Sequence, residues 1–194
     1  MQLTGEMSGD RPLLVLAVAE EAQYLDTSLP VLLTGMGKVN AATALAAVLA
    51  RGPLPSAVIN LGTAGALSPG WTGTHVVGTV IQHDLDSATL RALTGETYGA
   101  PLALSDAAGP TLATGDTFVA DETARARLAA HAHLVDMEGY ALATAARRAG
   151  VPVRIVKHVS DDAGEGAAGS WRESVAECAR ALAEWAAGAV PAYA

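Results

Sequence analysis

The chain has 194 residues, 51% of them hydrophobic, which suits a single domain with a substantial core. Its formal net charge of -8, from 20 acidic against 12 basic residues, disfavours nucleic acid and anionic lipid as partners because like charges repel. Cys178 is the only cysteine, which excludes an intrachain disulfide. No signal-peptide pattern opens the chain and no apolar run is long enough to span a bilayer, so the expectation is a cytoplasmic protein with a small-molecule ligand and no membrane contact.

Residues 1–11 are polar and glycine-containing and are expected to form a mobile leader, with one domain over residues 12–190. The apolar, β-branched runs 13–18, 31–34, 57–61, 76–81 and 153–156 have the length and composition of strands buried on both faces. Between and after them, residues 39–49, 122–130, 139–149 and 171–187 are rich in Ala, Leu, Arg and Glu, which lose little entropy in a helix. Residues 87–109 mix Gly, Thr, Ser, Asp and Pro without a period and read as a long loop with one helical turn. Alternation of strands with helices predicts an α/β fold: a single domain with a mixed, mostly parallel central sheet flanked by helices. Ligands of such sheets bind beyond the strand C-terminal ends, which directs attention to residues 19–21, 35–38, 62–67, 82–86 and 160–161.

Four segments can carry chemistry. Gly35-Met36-Gly37-Lys38 follows a strand and opens a helix, so its backbone N–H groups can approach an anion or a sugar, or it is simply a tight turn. A dinucleotide fingerprint needs a third glycine where Asn40 stands, which weighs against a nicotinamide enzyme. Asn60-Leu61-Gly62-Thr63-Ala64-Gly65 runs a buried strand into small residues, either to admit a ring or as an ordinary glycine turn. Asp136-Met137-Glu138 precedes a helix; an acid there can serve the helix N-terminus, or its two oxygens can accept from adjacent ribose hydroxyls. Ser160-Asp161-Asp162 ends a strand with acids, and Asp161, nearer the strand, is the better proton donor. Neither His83, Asp84 and Asp86 nor His131 with His133 has a matched ligand set for a metal.

With those segments joined by 17–21, His83-Asp84-Leu85-Asp86 and Thr114-Gly115-Asp116-Thr117-Phe118-Val119, the chain resembles the 5′-methylthioadenosine/S-adenosylhomocysteine nucleosidases of the nucleoside phosphorylase superfamily over residues 13–187. The resemblance implies that Glu21 activates water, Asp161 protonates the purine, and Met137 and Glu138 grip the ribose. It implies that Phe118 and Val119 meet the purine, that Thr63, Ala64 and Gly65 with Ser160 line the site, and that Trp171 closes over it. It also implies a homodimer, since relatives complete each site with a neighbour's loop. The chain departs from the pattern in two shortened connections, 21–35 and 86–114, in Asp136 where relatives have Glu, and in Lys157-His158 where they have Arg and a small residue.

The implied reaction is hydrolysis of the N-glycosidic bond of a purine nucleoside, such as methylthioadenosine or S-adenosylhomocysteine, with no cofactor and no metal. Water is favoured over phosphate because a dianion needs several cationic donors, and between Glu21 and Ala50 the only basic residue is Lys38. Phosphorolysis remains an alternative through Lys38 and Lys157, as do futalosine hydrolysis and a nucleoside-binding module without turnover.

Overall fold

A computed structural model of the protein describes residues 1–104 and 108–190. The expected mobile leader is corrected at its start. Gln2–Thr4 form β1, whose side chains are all exposed and which pairs antiparallel with Val31–Leu33. Ladder hydrogen bonds at a sheet edge, rather than an apolar pattern, place this strand, so no periodicity announces it.

Leu13–Leu16 form β2, every side chain buried, and Ala19–Ala22 form the single turn α1. Val31–Leu33 is β3, Lys38–Leu49 is α2 and Val58–Ala66 is β4. The run expected as one strand over residues 76–81 divides into β5 (Thr74–Val76) and β6 (Thr79–Gln82). The expected loop 87–109 contains more structure than one turn: α3 (Ser87–Thr94) and β7 (Leu102–Ala103), with residues 105–107 outside the described ones. The Asp86 carboxylate accepts from Thr89 N at its start and Gly95, at φ 78°, ends it, but no residue of α3 is buried. A helix without a buried face leaves no apolar period to read. The chain continues through β8 (Thr111–Thr114), α4 (Glu122–Ala129), β9 (Leu134–Asp136), α5 (Gly139–Arg148), β10 (Val153–Asp161) and α6 (Ala167–Ala189).

The sheet follows the order β1-β3-β2-β4-β9-β8-β6-β7, with β10 on β4 and β5 on β10. Pairs β2–β3, β2–β4, β4–β10, β6–β8 and β8–β9 are parallel, and β1–β3, β4–β9, β5–β10 and β6–β7 antiparallel. This is the expected mixed, mostly parallel α/β sheet. One face packs on α2 and α5 through Leu45, Leu49, Leu142 and Ala146. The other packs on α6, where Leu182 and Ala186 meet Leu14, Leu16 and Leu61. Among the described residues no helix is long and apolar enough to cross a membrane.

Two strands run further than their apolar cores predict. β4 continues through Gly62 to Ala66, and β10 continues through Lys157 to Asp161, because they pair in parallel from Val153↔Val58 to Val159↔Ala64. The small and polar residues read as a turn are thus held straight by the neighbouring backbone. This extension carries Thr63, Ala64, Gly65, Ser160 and Asp161 to one end of the sheet.

Candidate active site

A cavity of about 250 Å³ opens at that end. Its walls come from β4, from β9 and the turn into α5, from the end of β10, from the segment after β8, and from the start of α6. The residues to which the family resemblance gives a role all line it: Glu21, Thr63, Ala64, Gly65, Phe118, Val119, Met137, Glu138, Ser160, Asp161 and Trp171. Residues up to 155 positions apart meet here (Ala17 and Arg172).

Glu21 is buried on α1 and pinned by three donors. Its Oε1 accepts from Thr63 N at 2.8 Å and Thr63 Oγ1 at 2.9 Å, and its Oε2 from Ala17 N at 3.2 Å. Trp171 Nε1 donates to Thr63 Oγ1 at 3.0 Å, so α6 is tied to the same threonine that orients the glutamate. Glu20, the exposed neighbour, does not line the cavity.

The two acids around Met137 divide their work. Asp136 Oδ2 accepts from Gly139 N at 2.8 Å, its Oδ1 from Thr114 Oγ1 at 2.6 Å, and it pairs with Lys157 Nζ at 2.9 Å. It therefore serves the start of α5 and the ion pair, the structural alternative weighed for this motif. Glu138 turns away from its own helix, and its Oε1 accepts from Gly37 N at 2.8 Å. Gly37 has φ 92°, a backbone that only glycine adopts without strain, and this aims its N–H at the glutamate. Burial first, and the nearby Asp136 charge second, push the Glu138 carboxyl up to about 7.

Lys157, noted in the sequence as a departure and as one of the two lysines for phosphorolysis, is fully buried. Burial alone would lower its pKa, but Asp136, Glu138 and Glu21 outweigh that and raise it, so the ammonium stays charged. Gly62 explains how it fits. A Cβ there would stand 3.0 Å from Lys157 Nζ and 3.3 Å from Glu21 Oε1. The glycine thus makes room for charges, not for a ring as its small size first suggests.

Asp161 ends β10. Its Oδ2 accepts from Ser160 Oγ at 2.8 Å and its Oδ1 from Ala163 N at 2.9 Å. Burial pushes its carboxyl above the ordinary range in spite of those donors. Gly65 is required beside it, since a Cβ would lie 3.0 Å from Asp161 Oδ1. Asp162 instead accepts from Gly164 N within the following turn.

Other polar residues of the sequence motifs bond to one another or to backbone outside the cavity lining. Lys38 pairs with Asp84, and its N–H donates to Asp116 Oδ1 at 2.7 Å. Asp86 caps α3, and His133 Nδ1 accepts from Thr111 N. Sequence reading missed Met36, Thr117, Ala168 and Arg172 as lining residues. Met36 and Thr117 sit inside motifs already marked, but nothing in the local sequence separates Ala168 and Arg172 from the rest of their helix.

The chain is thus an α/β domain in which four carboxylates, those of Glu21, Asp136, Glu138 and Asp161, line one cavity at the strand ends, an arrangement suited to acid–base chemistry on a small molecule. Residues 22–194 match the family model of the Phosphorylase superfamily. The 5′-methylthioadenosine/S-adenosylhomocysteine nucleosidase of Bacillus subtilis is 31% identical over 172 residues, covering 74% of this chain and 72% of that protein. The enzyme of that name from Anoxybacillus flavithermus is 29% identical, covering 68% and 67%. Among solved structures, the Helicobacter pylori nucleosidase with butyl-thio-DADMe-Immucillin-A superposes with a TM-score of 0.80 at 21% identity, over 94% of this chain and 98% of that one. A futalosine hydrolase of Helicobacter pylori superposes at 0.78 and 19% identity, over 92% and 96%. The chain belongs to the phosphorylase superfamily, and within it to the 5′-methylthioadenosine/S-adenosylhomocysteine nucleosidase family.

Two expectations follow from the buried charges. Lys157→Met leaves Asp136 without its cation and destabilises the fold by about 3–5 kcal/mol in urea denaturation; a loss below about 1 kcal/mol would show that the pair is not what holds this region. Glu138 is protonated below about 7 and then offers one fewer acceptor to a ligand, so ribonucleoside affinity falls as pH drops through about 7. Calorimetry across that range tests this, with Glu138→Gln expected to flatten the profile.

Proposed function

We propose that the chain hydrolyses the N-glycosidic bond of a purine nucleoside, with Glu21 as the base for water, Asp161 as the acid toward the purine and Glu138 as the ribose anchor. The observation that carries this reading is the convergence of the three carboxylates on one cavity, each held by a different set of donors. Cleavage passes through a ribosyl cation-like state, which needs negative charge near the anomeric carbon, a nucleophile and a proton for the departing base. Glu21, held by Thr63 and Ala17, has its orientation fixed before substrate arrives, and its Oε2, with a single donor, is open to a water proton. Asp161, raised by burial, keeps its proton closer to neutral pH and can give it to a purine nitrogen. Glu138 can accept from the two vicinal hydroxyls.

Water is the nucleophile this electrostatic setting favours. The two lysines on which phosphorolysis would depend are occupied, Lys157 by Asp136 and Lys38 by Asp84. A phosphate dianion would enter among Glu21, Asp136, Glu138 and Asp161, where like charges repel it. Retention of both the base and the acid also favours an enzyme over a binding module.

Asp161→Asn removes proton donation alone. It is expected to slow cleavage of a purine ribonucleoside by about 10²-fold or more, and a riboside with an activated phenolic leaving group by less than about 10-fold. Glu21→Gln should slow both alike. Chromatography of released base, with and without phosphate, reads the result; equal fractional losses in Asp161→Asn would remove it as the acid, and phosphate-dependent release would replace hydrolysis with phosphorolysis.

We further infer a cytoplasmic homodimer. Met36 and Phe118, which line the cavity, and nearby Val39 on α2 are large apolar side chains that remain exposed in the single chain, and a second copy is the simplest cover for them. Light scattering at micromolar concentration is expected to give twice the chain mass; a monomer would overturn the assignment.

A further inference from the structure

Lys38, Asp84 and Asp116 close a ring of hydrogen bonds outside the cavity. Lys38 Nζ donates to Asp84 Oδ1, Asp116 N to Asp84 Oδ2 at 2.9 Å, and Lys38 N to Asp116 Oδ1 at 2.7 Å. The three residues belong to the start of α2, the turn between β6 and α3, and the segment after β8. Burial works against the charge on Asp84, but the bonds from Lys38 and Asp116 outweigh it and hold its carboxyl below the ordinary range. The side chains of Lys38, Asp84 and Asp116 keep 18%, 24% and 48% of their surface exposed, and ion pairs so wetted contribute little to stability. What the ring fixes is position.

Gly37 and Lys38 offer successive backbone N–H groups, and each goes to a different carboxylate: Gly37 N to Glu138 Oε1 at 2.8 Å, Lys38 N to Asp116 Oδ1. Asp116 also packs on the glycine, since a Cβ on Gly37 would stand 3.1 Å from its Oδ1. Met36 and Thr117, next to the ring in the chain, line the cavity, while the ring residues do not. We propose that Asp116, locked by Lys38 and Asp84, is a positioning residue of the site: it holds the start of α2 where the Gly37 N–H meets Glu138. The charged groups acting on Glu138 are Asp136 from β9, Lys157 from β10 and Glu21 from α1, with Asp161 and Arg172 elsewhere on the cavity wall. None of them belongs to the ring, so opening the ring withdraws the N–H and leaves those charges in place. A hydrogen bond to the ionised carboxylate favours that form, and its loss moves the Glu138 titration upward from about 7.

The test reads the Glu138 titration in the free protein by NMR of ¹³C-labelled glutamate carboxyls, with the signal assigned by its loss in Glu138→Gln. Asp116→Ala is expected to raise the midpoint by about half a pH unit or more, whereas loss of the Asp116 charge alone would lower it, so the sign separates bond from charge. Asp116→Asn keeps an acceptor for the Lys38 N–H and is expected not to raise the midpoint. Asp84→Ala opens the ring at its other acid, is expected to raise the midpoint, and replaces Asp116→Ala should that variant not fold. A midpoint unchanged or lowered in the alanine variant, or raised as far in Asp116→Asn, overturns the proposal. The consequence for binding rests on the reading of Glu138 as ribose anchor. Calorimetry with tubercidin, an adenosine with carbon at position 7, is expected to show Asp116→Ala weakened about 2-fold or more near pH 7 and within about 1.5-fold of native near pH 9. An equal loss at every pH would make the role merely structural and also overturns the proposal. A native affinity that ignores pH instead rejects Glu138 as the anchor, and the NMR titration, which needs neither ligand nor turnover, still decides the role of Asp116.

Discussion

Asp136 and Lys157 meet at 2.9 Å with almost no exposed side-chain surface on either, and they do so on opposite sides of β4, one at the end of β9 and the other on β10. An isolated ammonium in that position would shed its proton and an isolated carboxylate would take one up. Together they form an ion pair, with Thr114 and Gly139 donating to the remaining carboxylate lone pairs. The pair also needs Gly62, since any side chain there would press on the lysine nitrogen and on Glu21. One glycine, one lysine and one aspartate therefore fix how the central strands pass each other beneath the cavity.

That cation is shared unequally. Asp136, Glu138 and Glu21 all act on Lys157, but only Asp136 is bonded to it. Glu138, buried beside the Asp136 charge, is driven to about 7. Burial together with a neighbouring like charge favours the protonated form of a carboxyl, and here the acid so placed faces the cavity. The excess of negative charge repels anions from the depth of the cavity. Opposite electrostatic character is left to the rim, where Arg172 is exposed.

The sheet turns remote residues into one surface by a simple device. Parallel pairing of β4 with β10 brings their C-terminal ends to the same edge, and β9, antiparallel to β4, delivers Asp136 and Glu138 from the other side. α1, following β2, brings Glu21 to the edge through the β2–β4 pairing. Trp171 then couples α6 to Thr63, so the cavity wall and the orientation of Glu21 depend on a common hydrogen-bonded group.

Composition and the alternation of apolar runs with helical segments were enough to determine the α/β class and the edge of the sheet at which the cavity opens; Glu138 and Asp161 were candidates from their own segments, Glu21 came only with the family resemblance, and all three line that cavity. The class, the edge and the two acids read from their own segments are properties of local sequence, because a buried strand or an acid at a strand end is written in consecutive residues. Tertiary structure alone decided β1, which is held by backbone pairing and buries no side chain, and α3, which has no buried face. It alone decided that Gly62 accommodates a lysine, that Asp136 serves the helix and the ion pair while Glu138 faces the cavity, and that Arg172 borders it. The reason is that the field at a carboxylate, and the space beside a glycine, are set by atoms tens of residues away in the chain, whose arrival at that point depends on strand register and not on local pattern.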